Sequence, residues 1–112
     1  MGLMERRQHR RVPAHLKSLL LGNSHEVEGV TLDLSLGGAR IESGIDVFPG
    51  KQIRVRLMVP GEEEPLLIDQ ALVRWVDEDT FGIEFLAVDA EGRDDLEELI
   101  DAFEELEEGG HA

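Results

Sequence analysis

Apolar and polar residues alternate along much of this chain, and that alternation is the strongest constraint on its fold. Between Gln52 and Val59 every second residue is apolar, and arginines occupy two of the positions in between. This pattern places the apolar side chains on one face of a β-strand. Five further segments have strand character and are separated by turn residues: His15–Leu21, Glu26–Leu34, Ala39–Glu42, Leu66–Val76 and Thr80–Leu86. Because no helical segment lies between these strands, the sequence predicts an antiparallel barrel or sandwich.

The hydrophobic period changes after the last of these strands. Apolar residues then recur at helical spacing, with acids on the opposite face: Leu96, Leu99, Ile100, Phe103 and Leu106. The pattern predicts an amphipathic helix over residues 92–108 that docks on an open end or a flank of the barrel. With a barrel over 14–88 and a flexible, arginine-rich segment over 1–13, we expect the 112 residues to form a single domain.

Charge is distributed unevenly along the chain. The net charge is −14, yet residues 1–11 hold four arginines and one acid, whereas residues 89–108 hold eleven acids and one arginine. An acidic body repels the phosphates of a nucleic acid, so we expect no nucleic-acid partner. A short basic segment on such a body suits a compact anionic ligand better.

What the sequence lacks excludes several classes of protein. Without cysteine it has neither a disulfide framework nor thiolate chemistry. Its four histidines lack metal-ligand spacing, and the phosphate-cradling Gly-x-x-x-x-Gly-Lys loop is absent. No apolar run reaches the roughly 18 residues of a membrane-spanning helix, and no secretory signal is present. We expect a cytoplasmic, non-enzymatic protein with no metal, no cofactor and no membrane insertion.

The basic segment contains two arginines at a useful spacing. Arg7 and Arg11 are separated by about 13 Å if the chain is extended. Arginine binds phosphate oxygens in bidentate fashion and stacks on flat rings, so the pair could hold opposite sides of a dinucleotide. On this motif alone, a solvated basic tail is the simpler interpretation.

A second motif, Asp33-Leu34-Ser35-Leu36-Gly37-Gly38, lies at the end of a predicted strand. Asp33 and Ser35 share a face of that strand, where a carboxylate can accept hydrogen bonds from the N–H edge of a guanine and a hydroxyl can donate to a phosphate or base. Gly37 and Gly38 permit backbone conformations closed to other residues and allow a ligand to approach closely. A turn stabilised by Asp and Ser side chains is the alternative.

Together the two motifs resemble those of the PilZ family. The Arg-x-x-x-Arg pair, followed by a hairpin and then Asp-x-Ser-x-x-Gly, matches the family pattern at the residues just described. The likeness runs from Glu5 to about Leu106 and includes Ala71–Val76 and Phe81–Phe85. It implies a six-stranded antiparallel β-barrel with a C-terminal helix, and a bacterial receptor for the second messenger cyclic di-GMP.

The resemblance also implies roles for individual residues. Arg7 and Arg11 would contact phosphates and guanine faces. Asp33 and Ser35 would contact a guanine edge or a phosphate. Gly38 would hold the turn open, and Gly37 beside it is a further candidate for ligand binding. Arg6 stands where family members influence whether one nucleotide or a stacked pair binds. Trp75 is a further candidate for ligand contact, although a core position is the alternative. Arg10 departs from the family pattern and could add charge to the site or point into solvent.

The leading functional hypothesis is an adaptor that binds cyclic di-GMP, orders its N-terminal segment and relays the signal to a downstream protein partner. The alternative is a PilZ-like module that works by protein–protein contact without the nucleotide.

Overall fold

The computed structural model describes residues 10–109, with side chains to Leu106. Six strands are followed by one helix: β1 (Val12–Leu21), β2 (Glu26–Leu34), β3 (Gly38–Ser43), β4 (Gln52–Leu57), β5 (Leu66–Asp77), β6 (Thr80–Ala87) and α1 (Ala90–Gly109). The strands close into an antiparallel barrel in the order β1-β2-β3-β6-β5-β4. The antiparallel barrel with a C-terminal helix that the sequence predicts is therefore confirmed.

The alternating pattern accounts for the barrel interior. In β4, Ile53, Val55 and Leu57 are buried, while Arg54 and Arg56 are exposed on the outer surface. The other strands contribute alternate residues to the same core, with Leu20, Leu34 and Phe81 among its fully buried side chains. Burial of apolar surface is the main contribution to the stability of the closed sheet, at about 25 cal/mol for each Å² removed from water.

The helix closes one side of this core. Leu96 is fully buried, Leu99 and Ile100 are nearly so, and α1 packs against β1 and β5. The side chain of Asp89 accepts a hydrogen bond from the backbone N–H of Gly92 at 2.8 Å, which caps the first turn. This cap starts α1 at Ala90, two residues before the predicted start.

The N-terminal boundary also differs from the expected one. The sequence predicts a flexible segment over residues 1–13, but Val12 and Pro13 belong to β1. Val12 is only 2% exposed and pairs with Leu34 across the β1–β2 ladder. An apolar side chain in the core fixes the strand from this point. Within residues 10–109 no helix is long and apolar enough to cross a membrane.

Candidate functional site

A carboxylate on β2 holds two arginines on the outer surface of the barrel. Oδ1 of Asp33 accepts a hydrogen bond from Nη1 of Arg11 at 2.7 Å, and its Oδ2 accepts one from Nε of Arg40 at 2.8 Å. The Asp33 side chain is 18% exposed, whereas the two arginines are 43% and 45% exposed. These three residues, called here the Arg–Asp cluster, present two oriented guanidinium groups to solvent around one shielded carboxylate.

A β-bulge shapes the strand that carries Arg11. Pro13 pairs with Asp33 and Leu16 pairs with Thr31, so two residues of β1 lie opposite one residue of β2. The second bulge residue, His15, has a φ of 59°, a conformation that side-chain-bearing residues seldom adopt. Bulges are frequent beside binding sites because they redirect side chains. Here the bulge lies immediately beside the Arg–Asp cluster.

The bulge and the cluster line one open cavity. Its volume is about 320 Å³, and its walls include Arg11, Pro13, His15, Asp33 and Arg40. Small-molecule sites commonly have volumes of about 300–1,000 Å³, which puts this cavity at the small end of the range. Paired guanidinium groups bind phosphate oxygens, and the carboxylate keeps further lone pairs for an N–H donor. The arrangement can therefore bind an anion that also carries a hydrogen-bond donor edge.

Ser35 organises the turn that follows Asp33. Its hydroxyl oxygen accepts hydrogen bonds from the backbone N–H groups of Gly37 and Gly38 at 3.2 and 3.1 Å. The backbone N–H of Ser35 donates to the carbonyl oxygen of Gly38 at 2.9 Å, and the residue is 4% exposed. These contacts match the turn-stabilising alternative considered for this motif. They fix the direction in which the chain leaves Asp33.

Gly38 is required by its neighbour in the sheet. Neither Gly37 nor Gly38 has a positive φ, so the freedom expected for these glycines is not used. A Cβ atom at Gly38 would instead collide with the main-chain carbonyl oxygen of Ile83 on β6. The missing side chain thus allows β3 and β6 to approach beside the turn, and the carbonyl of Gly37 accepts a hydrogen bond from Phe85 at 2.9 Å.

Trp75 lies on the same surface as the cluster. Cross-strand pairs connect Asp33 to Arg40, Arg40 to Gly82, and Gly82 to Trp75. The indole covers Gly82, where a Cβ atom would collide with its ring nitrogen, and Trp75 remains 43% exposed. The core alternative for this tryptophan is therefore wrong. Its ring is an accessible flat surface in the same row as Arg40.

The remaining arginines of the basic segment are placed differently. Arg10 forms ion pairs with Asp101 at 3.0 Å and with Glu104 at 2.8 Å, both on α1. It therefore points to the helix, neither free in solvent nor in the Arg–Asp cluster. Arg6 and Arg7 lie outside the described residues.

Two polar residues of the cavity wall, Arg40 and His15, are not predicted by the sequence. Arg40 reaches Asp33 because the two residues are partners in the β2–β3 hairpin, and only the register of that hairpin reveals the pairing. His15 is one of the four histidines without metal-ligand spacing, and it is exposed, but the bulge makes its position part of the cavity wall. Within residues 10–109 no cluster of three or more histidine and acidic residues is arranged to hold a metal ion.

The closed six-stranded barrel and the C-terminal helix agree with the fold of one protein family. The sequence profile of the PilZ domain matches residues 5–102. This chain belongs to the PilZ domain family. Comparison with curated proteins finds no match.

Solved PilZ structures have the same fold. The PilZ domain of YcgR from Escherichia coli, solved with c-di-GMP, gives a TM-score of 0.77 at 15% identity, covering 96% of this chain and 98% of that one. The PilZ domain of CeSA from a cellulose-synthesizing bacterium gives a TM-score of 0.68 at 21% identity. The match covers 85% of this chain and 98% of that one. The Bacillus subtilis inhibitor of motility (MotI/DgrA) gives a TM-score of 0.73 at 21% identity, and the match covers 94% of this chain. This chain spans about half of that protein's length, at 53%.

Proposed function

We propose that this PilZ domain is a receptor for cyclic di-GMP and that the Arg–Asp cluster is the centre of its binding surface. One observation carries the proposal: a single shielded carboxylate, Asp33, orients Arg11 and Arg40 at 2.7 and 2.8 Å beside an open cavity. The similarity to the E. coli YcgR PilZ domain, whose structure was solved with c-di-GMP, supports this choice of ligand.

The ligand has two chemical features that the cluster suits. Its phosphates carry negative charge, and the guanidinium groups of Arg11 and Arg40 can each donate two hydrogen bonds to phosphate oxygens or stack on a guanine. Its guanine edges carry N–H donors, and the carboxylate of Asp33 can accept them in addition to its arginine partners. Arg7, four residues before Arg11, would bind the other side of the dinucleotide, and Arg6 would favour a stacked pair of ligands.

The turn and the tryptophan would have supporting roles. Ser35, Gly37 and Gly38 hold the turn in place, and this keeps Asp33 at the end of its strand. The exposed ring of Trp75 offers a surface on which a base can stack, an interaction worth about 1–3 kcal/mol per base. In this proposal the protein is a receptor that performs no chemistry on the ligand.

The signal would leave the site through the residue next to Arg11. Arg10 links the start of β1 to α1 through Asp101 and Glu104. Exposed ion pairs of this kind contribute about 1 kcal/mol or less, so breaking them when the ligand binds at Arg7 and Arg11 would cost little. Ordering of the N-terminal segment around the ligand would then change the surface near α1 that a downstream partner contacts.

Isothermal titration calorimetry with cyclic di-GMP tests the receptor proposal. Arg11→Ala and Asp33→Ala should each weaken binding at least tenfold, equivalent to about 1.4 kcal/mol. Arg56→Ala is the matched control, because Arg56 is also half exposed and forms an ion pair with Glu26 at 2.7 Å, but lies outside the cavity. This variant should bind the nucleotide as the wild type does.

Two outcomes would contradict the proposal. The first is an absence of wild-type binding at high-micromolar ligand. The second is an equal loss of affinity in the Arg56→Ala control, which would indicate non-specific attraction of an anion. If Arg11→Ala and Asp33→Ala also leave the cellular function intact, the nucleotide-independent interaction module becomes the better account.

A further inference from the structure

A second cavity in the described part of the chain lies away from the Arg–Asp cluster. It is a groove of about 510 Å³ between α1 and the connection from β4 to β5. Its apolar wall includes Val59 and Pro65 from the connection, and Leu99, Phe103 and Leu106 from the helix. The set of residues that line this groove, called here the helix groove, shares no member with the wall of the cavity at the cluster.

One end of the helix groove is unusually apolar for an exposed surface. Leu106 is 72% exposed, the highest value for a large apolar side chain among the described residues. Phe103, one turn earlier, is only half-buried, whereas Leu99 is 8% exposed. The apolar floor therefore begins against the barrel core at Leu99 and becomes largely exposed at Leu106. The two residues are about 10 Å apart along the helix, since seven residues advance 1.5 Å each.

The rim of the helix groove carries charge of one sign. Four acids line it: Glu62, Glu64, Asp95 and Glu98. Among residues 10–109 no lysine or arginine lines the groove or forms an ion pair with these carboxylates. An acidic rim around an apolar floor is complementary to an apolar segment flanked by cations.

The geometry points to the helix groove as the docking site for a basic amphipathic helix of a partner protein. Such a helix inserts apolar side chains at positions i, i+4 and i+7 into a groove, and those positions span the same length of about 10 Å. Lysines or arginines beside these anchors would meet the four rim acids. The same rim would repel acidic segments, so the groove would discriminate between basic and acidic partner helices.

This docking site goes beyond the cyclic di-GMP proposal and does not depend on it. The groove is complete without Arg11, Asp33 or Arg40. A negative result at either site leaves the other proposal standing, because the two use different residues and different probes.

A fluorescence anisotropy titration of the full chain tests the site. The probe is a labelled, capped peptide of about 14 residues with leucines at i, i+4 and i+7, lysines beside them and alanines elsewhere. Leu106→Ala and Glu98→Lys should each weaken binding at least about fivefold. Leu86→Ala and Glu97→Lys are the matched controls, since Leu86 is exposed on β6 and Glu97 lies on α1 outside the groove lining.

The expected result is saturable binding that falls with the groove variants and stays within about twofold of wild type with the controls. Equal binding of a scrambled peptide of the same composition, or equal losses from Glu97→Lys and Glu98→Lys, would overturn the proposal in favour of non-specific charge attraction. Sedimentation velocity provides the second readout. A wild-type dimer that Leu106→Ala converts to monomer would assign the groove to a second copy of the chain and would also overturn it.

Discussion

Gly38 and Gly82 allow one chemical change to be compared at two neighbouring positions of the barrel. A methyl group added at Gly38 would meet the main-chain carbonyl of Ile83, which cannot move without disturbing the ladder between β3 and β6. A methyl group added at Gly82 would meet the indole of Trp75, which is 43% exposed and can rotate outward. Alanine should therefore destabilise the protein strongly at Gly38 and weakly at Gly82.

The expected sizes follow from the contacts. Overpacking against fixed backbone costs about 1–3 kcal/mol, and each ladder hydrogen bond that is lost costs about 0.5–1.5 kcal/mol. Alanine also restricts the unfolded chain, which offsets about 0.4–1 kcal/mol. Gly38→Ala should lower the free energy of unfolding by about 3 kcal/mol, or Tm by about 12 °C for a domain of this size. Gly82→Ala should change the free energy of unfolding by about 1 kcal/mol or less.

Urea unfolding followed by far-UV circular dichroism measures both free energies. Trp75 is the only tryptophan in the chain, so the emission of the folded Gly82→Ala variant reports displacement of the indole directly. A Gly38→Ala variant within about 1 kcal/mol of wild type would refute the argument that the turn glycine is needed for strand approach. An unchanged emission spectrum for Gly82→Ala would refute the stated position of the tryptophan ring.

Three further predictions concern the helix and the arginines. Leu96→Ala should lower the free energy of unfolding by about 3 kcal/mol in urea titrations, because Leu96 is fully buried on the face of α1 that packs on the barrel. A loss below about 1 kcal/mol would contradict its role in docking the helix. Arg10→Ala should cost less than about 1 kcal/mol, and the difference should vanish in high salt, since its ion pairs are exposed; a larger, salt-independent loss would argue against them. Arg40→Ala should weaken the binding of cyclic di-GMP at least about tenfold in calorimetry and change the free energy of unfolding little. An unchanged affinity would show that Arg40 is not part of the site.

The fold could be predicted from the sequence because its signals are local. Alternation in segments such as Gln52–Val59 defines strands, and the short turns between them leave few topologies open. The same local signals place helix ends less well. Asp89 starts α1 earlier than the apolar spacing indicates, because a side-chain cap acts before the first buried leucine.

The candidate site could be predicted only in part, because its contacts are not local. Residue type singles out Arg11 and Asp33, and the resemblance to the PilZ family implies that their two motifs form one site. The structure brings the two side chains together. Arg40 was not found, because its contact with Asp33 depends on the register of a hairpin. The bulge at His15 was not found either, since a two-against-one pairing of strands leaves no composition signal in β1.

The central claim is that the surface around Asp33 binds cyclic di-GMP. A titration of the isotope-labelled chain with this ligand, followed by amide NMR shifts, tests it most directly, with cyclic di-AMP as the comparison. The account predicts saturable shifts at Arg11, Asp33 and Arg40 with the guanine ligand and weaker ones with the adenine ligand. Guanine presents adjacent N1–H and N2–H donors to a carboxylate, whereas adenine offers only its amino group beside a ring nitrogen acceptor. Shifts confined to other parts of the barrel, or none at high-micromolar ligand, would contradict it.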